Sequence, residues 1–261
     1  MSLLTTTEDG VRILTLNRPE VHNAFDDTVI AALTTAYEKA SADPAVWAIL
    51  LKAEGKSFCA GGDLNWMRRM ASYSHAENLE DAGKLAALMR TIDLCPKPTL
   101  VRVHASAFAG ATGLIAASDI VVAVPDAEFA VTEVKIGLIP AVISPYLVRA
   151  MGARQARRYF LTAERFSAAT ALELGLVHEV VPPEALDAAI ARHLKALKAA
   201  SPAALGATKD LIRAVDRPLD DAVVDDTARR IADIRASADG KEGVTAFLEK
   251  RKVQWGKGET A

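Results

Sequence analysis

A chain of 261 residues, 51% hydrophobic and 25% charged, is long enough to bury a sizeable core and has the composition of a folded globular protein. Its formal charge of −2 supplies no basic surface for nucleic acid or anionic lipid, and two cysteines, Cys59 and Cys95, make no disulfide framework or metal site. The first ten residues lack a signal peptide's basic start and apolar run, and apolar stretches stop short of membrane-spanning length. A cytoplasmic protein with no nucleic-acid or membrane partner is expected.

In chain order, Val11 to Asn17 reads as a strand ended by Arg18-Pro19. Asp26 or Asp27 can cap a helix whose apolar face is Val29, Leu33, Ala36 and Ala40. Trp47 to Ala53 reads as a buried strand, followed by the glycine turn Ser57-Phe-Cys-Ala-Gly-Gly-Asp-Leu64. The polar stretch Ala71 to Asn78 reads as a loop, and a helix then runs to about Leu94 with Leu85, Leu88, Met89 and Ile92 on one face. Pro96 and Pro98 stop it.

Strand Thr99 to Val103 leads into a second glycine turn, Phe108-Ala-Gly-Ala-Thr-Gly113, and a short apolar helix to Ser118. Strand Asp119 to Val124 and a short strand around Phe129 follow, and Gly137 and Pro140 break the next stretch too soon for a long helix. From Ser144, read as a helix cap before Pro145, the chain is almost wholly helical apart from a strand at Leu176 to Val181. Late helices carry apolar stripes, including Val224, Ala228 and Ile231. Strands alternating with helices predict an α/β fold with mainly parallel strands.

Both glycine turns stand where a buried strand passes into a helix. Without a Cβ, glycine lets backbone N–H groups come close to a ligand, and the first turn of a helix has N–H donors to spare. Two such turns meeting in space would aim two donors at one oxygen, forming an oxyanion hole. Glu133, after the apolar run Phe129-Ala-Val131, is the carboxylate best placed to enter a cavity, where burial would raise its pKa. The residues alone leave open a loop carboxylate paired with Lys135. Cys59 reads as a small packing residue, since no histidine is placed to activate it.

Five segments occur in order: Arg18-Pro-Glu-Val-His-Asn-Ala24, Phe58-Cys-Ala-Gly-Gly-Asp-Leu64, Phe108 to Ile120, Glu133-Val-Lys-Ile-Gly-Leu-Ile-Pro140, and Lys241 to Lys252. Together they resemble the enoyl-CoA hydratase/isomerase (crotonase) superfamily over essentially the whole chain. The resemblance implies a crotonase-like spiral of ββα repeats over residues 1–200 and a C-terminal helical trimerisation region over 201–261. It implies an acyl-CoA thioester substrate, a homotrimer or dimer of trimers, and no cofactor, coenzyme A being part of the substrate.

By the same resemblance, Gly62 and Gly110 supply the oxyanion-hole N–H groups and Glu133 the acid/base. Contacts to coenzyme A fall on Ala24, Ala60, Asp63, Leu64, Phe247 and Lys250. The sequence departs from the family at one place. Hydratases of the family carry two glutamates, and Gly113 stands at the first. The implied function is hydration of a 2-enoyl-CoA across C2=C3. Asn65-Trp66-Met67, Glu133-Val-Lys135 and Ser144-Pro-Tyr-Leu147 are similar to methylglutaconyl-CoA hydratases, which points to that substrate. The alternatives are a Δ3,Δ2-enoyl-CoA isomerase using the single glutamate, or a non-catalytic acyl-CoA-binding protein.

Overall fold

The computed structural model describes residues 1–255 and divides into two compact units. The first comprises residues 1–95 and 99–193, the second 96–98 and the chain from Leu194.

The first unit is α/β. Its larger sheet begins with β1 (Leu3–Glu8) and β2 (Val11–Leu16), an antiparallel hairpin. The sequence reading did not place β1, because Leu-Leu-Thr-Thr-Thr-Glu has no alternation to see. Its residues after Leu3 are all exposed, as suits an edge strand. From β2 the sheet continues in parallel through β3 (Ala48–Ala53), β4 (Thr99–Val103), β6 (Ile120–Ala123) and β9 (Glu179–Val180). The inner strands β3, β4 and β6 are mainly apolar, broken only by Lys52, Thr99 and Arg102, because both faces are largely covered. A smaller sheet holds β5 (Ala107–Phe108), parallel to β7 (Glu128–Ala130), with β8 (Phe166–Ser167) antiparallel beyond it.

The helix α1 (Asp27–Ala42) starts where Asp26 accepts the N–H groups of Thr28 and Val29. It packs on α3 (His75–Asp93), burying Val29, Leu33, Tyr37 and Ala40 beside Leu88, Met89 and Ile92. Between them in sequence lies α2 (Leu64–Met70). The second half of the loop expected over Ala71 to Asn78 is helix instead, from His75 onward. Ser74 caps α3 in a reciprocal box with Glu77, and this cap signal outweighs the polarity of the stretch.

Downstream come α4 (Gly110–Ala116), α5 (Ser144–Thr162) and α6 (Ala168–Glu173). Ser144 does not cap α5. Its hydroxyl donates to the Ala141 carbonyl, and the capping position is Ile143, which has no side-chain acceptor. α5 kinks at Gly152, whose φ of 75° and ψ of 150° are not helical. The helix α7 (Leu186–Lys198) crosses from the first unit into the second.

The second unit is helical, made of α8 (Pro202–Val215), α9 (Asp221–Ala236) and α10 (Ala238–Leu248) packed on one another. Ser201 caps α8 through the Ala204 N–H and donates its hydroxyl to Asp239 at the start of α10, 2.5 Å away. Val224, Ile231, Phe247 and Leu248 remain exposed. Among the described residues no helix is long and apolar enough to cross a membrane.

Candidate active site

Three segments of the first unit run side by side in the same direction. Cys59 bridges Ala107 in parallel, and Ala107 and Phe108 pair in parallel with Phe129 and Ala130. The chain ends just past these pairs therefore gather at one place: Gly62 from the first segment, Gly110 from the second, Glu133 from the third. The two glycine turns touch. A Cβ on Gly61 would lie 3.1 Å from the Ala109 Cβ and 3.1 Å from the Phe108 carbonyl oxygen. Gly61 has a φ of +96°, so a larger residue fails there on backbone grounds as well.

The turns are fixed so as to leave N–H groups unused. Phe25 bridges Gly62, with the Phe25 N–H on the Gly61 carbonyl (2.9 Å) and the Asp63 N–H on the Phe25 carbonyl (3.0 Å). That bridge does not involve the N–H of Gly62 itself. Gly110 is the first residue of α4, whose leading N–H groups have no intrahelical acceptor. The residue before it, Ala109, sits at φ 49° and ψ −127°, a strained conformation for a residue with a Cβ. It is held there by its N–H on the Ala130 carbonyl (2.8 Å) and by its own carbonyl, which accepts the Thr112 N–H and hydroxyl. Such strain is tolerated where the position of the next group matters.

Phe25 backs the second donor as well. Its ring comes within 2.5 Å of where a Cβ on Gly110 would stand, which is why that position excludes a side chain. Sequence reading assigned Phe25 no role, and no spacing signal would have shown it.

Glu133 opens a short 3-10 turn, Glu133–Ile136, directly after β7. One carboxylate oxygen, Oε2, is buried and has no hydrogen-bond partner. Burial raises its pKa, and the backbone N–H groups of Glu133 and Thr132 offset this only in part. Glu133 makes no ion pair among the described residues, so the alternative reading as a partner of Lys135 does not hold. A carboxylate kept partly dry, with one oxygen buried and unpartnered, suits proton transfer.

Gly113 faces an apolar wall. A Cβ on it would lie 2.2 Å from Ile143 Cγ2, 2.8 Å from Ile143 Cβ and 3.3 Å from Met89 Cε. The space that a side chain at 113 would occupy is filled by the residue just before α5.

Around the first turn four of the six expected coenzyme A contacts come together, Ala24, Ala60, Asp63 and Leu64. The Ala60 N–H donates to the His22 carbonyl (3.0 Å), the Ala24 carbonyl accepts from Arg18 (2.7 Å), and Leu64 is largely exposed at the start of α2. Asp63 is buried and caps α2, accepting the N–H groups of Asn65 and Trp66 while Arg18 pairs with its other oxygen at 2.8 Å. Burial alone would raise the Asp63 pKa, but these bonds hold it below its ordinary value. Asp63 is thus a structural anchor of the turn. Phe247 and Lys250 belong to the second unit, where both are exposed. Cys59 is wholly buried, which pushes its thiol pKa up to about 12 and leaves it unreactive. No group of His, Cys, Asp and Glu that could hold a metal ion occurs among the described residues.

The chain matches the family described as Enoyl-CoA hydratase/isomerase over residues 6–258. It is 36% identical to Enoyl-CoA hydratase ACTT6 of Alternaria alternata over 253 residues, covering 94% of this chain and 80% of that one. It is 35% identical to the 1,2-epoxyphenylacetyl-CoA isomerase of Escherichia coli over 262 residues, covering 97% of each. An enoyl-CoA hydratase structure from Shewanella pealeana superposes with a TM-score of 0.95 at 47% identity, covering 98% of this chain and 96% of the other. Matches of this identity and coverage extend over both the α/β unit and the helical one. The chain is therefore an enzyme of the enoyl-CoA hydratase/isomerase family, with the crotonase fold.

Proposed function

We propose that this enzyme adds water across the C2=C3 bond of a 2-enoyl-CoA thioester, 3-methylglutaconyl-CoA being the candidate that the sequence resemblance suggests. The observation that carries the reading is Glu133 Oε2, buried and unpartnered, at the strand ends that also present Gly62 and Gly110. The thioester oxygen accepts the N–H groups of Gly62 and Gly110. As the water oxygen bonds to C3, the C2=C3 π electrons shift toward C1 and the carbonyl pair moves onto the thioester oxygen, while Glu133 takes the water's proton. Glu133 then returns a proton to C2 as the enolate collapses. Each oxyanion donor is worth roughly 3–4 kcal/mol, and acid/base help about 10²–10⁴-fold. Neither step changes oxidation state, so the reading needs no metal or redox cofactor.

The wall at Gly113 favours a second reading. A positioned water wants two to four polar partners. Ile143 and Met89 offer none on that side. A single carboxylate that removes a proton from C2 of a 3-enoyl-CoA and returns it at C4 needs no bound water, and gives the Δ3,Δ2-isomerase.

Ultraviolet absorbance of the conjugated enoyl thioester separates the two. Crotonyl-CoA, 3-methylglutaconyl-CoA and a 3-enoyl-CoA are each mixed with the enzyme and with Glu133→Gln. Loss of conjugation from a 2-enoyl substrate, absent in the variant, supports hydration. Gain of conjugation from the 3-enoyl substrate alone supports isomerisation, and turnover that survives Glu133→Gln overturns both. Silence on all three substrates with intact acyl-CoA affinity leaves a binding protein.

The coenzyme A contacts at Ala24, Ala60, Asp63, Leu64, Phe247 and Lys250 belong to this proposal, as does a cytoplasmic location, which suits two buried free thiols. So does a homotrimer or dimer of trimers, to which the exposed Val224, Ile231, Phe247 and Leu248 lend support. Sedimentation of the purified protein tests the assembly.

A further inference from the structure

Trp66 is the one buried residue of α2, a helix of seven residues that begins two positions after Gly62. So short a helix has little stability of its own and takes its place from what its buried side chain meets. The Trp66 ring lies 3.6 Å from where a Cβ on Gly62 would be, and its centroid is 6.2 Å from that of Phe25. Phe25 in turn bridges Gly62 through its backbone and abuts Gly110 through its ring. The two aromatic side chains thus stand behind both expected oxyanion donors.

The indole N–H of Trp66 donates to Asp81 Oδ1 in α3, 3.2 Å away, and both residues are buried. A buried carboxylate and a buried indole N–H are each costly unless bonded, so this hydrogen bond carries a larger penalty for breaking than a surface one. It ties α2 to α3, and α3 is anchored in the core by Leu88, Met89 and Ile92. Asp81 has no part in the proposed chemistry; its Oδ1 accepts this bond, and its charge also acts on Lys84.

We propose that Asp81 and Trp66 are positioning residues that latch α2 to α3, and with Phe25 hold the N–H groups of Gly62 and Gly110 at the geometry that polarises the thioester carbonyl. This rests on the oxyanion reading of Gly62 and Gly110.

The test uses the full-length protein carrying Glu133→Gln, so that a bound 2,4-dienoyl-CoA probe is not consumed, and reads the red shift of the probe's absorbance on binding. Trp66→Phe keeps an aromatic ring, smaller than indole, and removes the donor, while Asp81→Ala removes the acceptor. Each is expected to diminish the red shift and, in the Glu133 protein, to lower kcat by about 10–100-fold with KM little changed, the size expected of a small misplacement. The two together are expected to cost no more than either alone, because they break one interaction. Asp81→Asn, which still offers an oxygen to the indole, is expected to recover the signal lost in Asp81→Ala. A red shift present in the parent and unchanged in both Trp66→Phe and Asp81→Ala overturns the latch alone. A parent that binds the probe with no red shift overturns the oxyanion reading and the latch with it. Circular dichroism of each variant checks the fold, and Trp66→Phe keeps the test decisive if Asp81→Ala unfolds.

Discussion

Gly113→Ala is a substitution whose sign separates two physical effects. Gly113 lies inside α4, and a glycine replaced by alanine in a helix interior ordinarily gains about 1 kcal/mol. Here the new methyl would stand 2.2 Å from Ile143 Cγ2 and 2.8 Å from Ile143 Cβ. A rotation about χ1 could carry Cγ2 away, but Cβ moves only with the backbone, and Met89 Cε closes the other side at 3.3 Å. Overpacking of this kind costs about 1–3 kcal/mol, so the net effect is a loss of up to about 2 kcal/mol. Urea unfolding of the purified protein at equal protein concentration reads the difference directly. In an Ile143→Ala background the penalty is expected to shrink, because the two side chains compete for one space. A Gly113→Ala protein more stable than its parent would show that the wall yields. It would also remove the ground for saying that a carboxylate at 113 has no room.

Three further outcomes follow from the site. The acid limb of kcat/KM is expected above pH 4.5, Glu133's ordinary value, because burial raises its pKa and the base form is lost as pH falls through that higher value; a limb at or below 4.5 in the rate profile refutes it. The same shift means the folded protein binds the Glu133 proton more tightly than the unfolded chain, so the ionised carboxylate lowers stability above that pKa. Glu133→Gln is therefore expected to raise the melting temperature at neutral pH, with the gain vanishing below pH 4.5, which scanning calorimetry at two pH values checks. Asp63→Ala removes the α2 cap, worth about 0.5–2 kcal/mol, and takes away the 2.8 Å partner of Arg18, which keeps Asp26 at 3.3 Å. A fall in melting temperature of several degrees is expected, and an unchanged one refutes the anchoring role.

What was legible in the sequence was what repeats along the chain. The apolar runs at Trp47, Thr99 and Asp119 marked the inner strands because a strand covered on both faces has no polar side to hide. A cap at Asp26 or Asp27 and the stripe from Val29 to Ala40 marked α1, and the structure puts the cap at Asp26. Edge strand β1 and the two-residue strands β5 and β8 escaped, since their pairing comes from partners distant in the chain and not from their own pattern. At the site, the glycine turns and Glu133 stood out by residue type. Phe25, Trp66, Asp81 and Ile143 did not, because an aromatic ring behind a glycine or an isoleucine filling a gap is defined by a neighbour in space. Resemblance marked Gly113 as a missing glutamate; only the structure shows that the gap has been closed.

That closure bears on how one carboxylate could hydrate a double bond. In a site with two glutamates, water is held from both sides and proton transfer can be divided between them. If the proposed hydration holds, the wall at Ile143 and Met89 offers that water no polar atom, and Glu133 Oε2 is the one unpartnered oxygen named for it. An acyl chain that carries its own oxygen near C3, as a carboxylated enoyl thioester does, could furnish the second partner that the protein lacks. An unsubstituted crotonyl chain could not. Hydration of 3-methylglutaconyl-CoA much faster than that of crotonyl-CoA, at comparable KM, is the outcome this reasoning requires. Equal turnover of the two would mean that the water is held by the protein, and that the apolar wall is no obstacle to it.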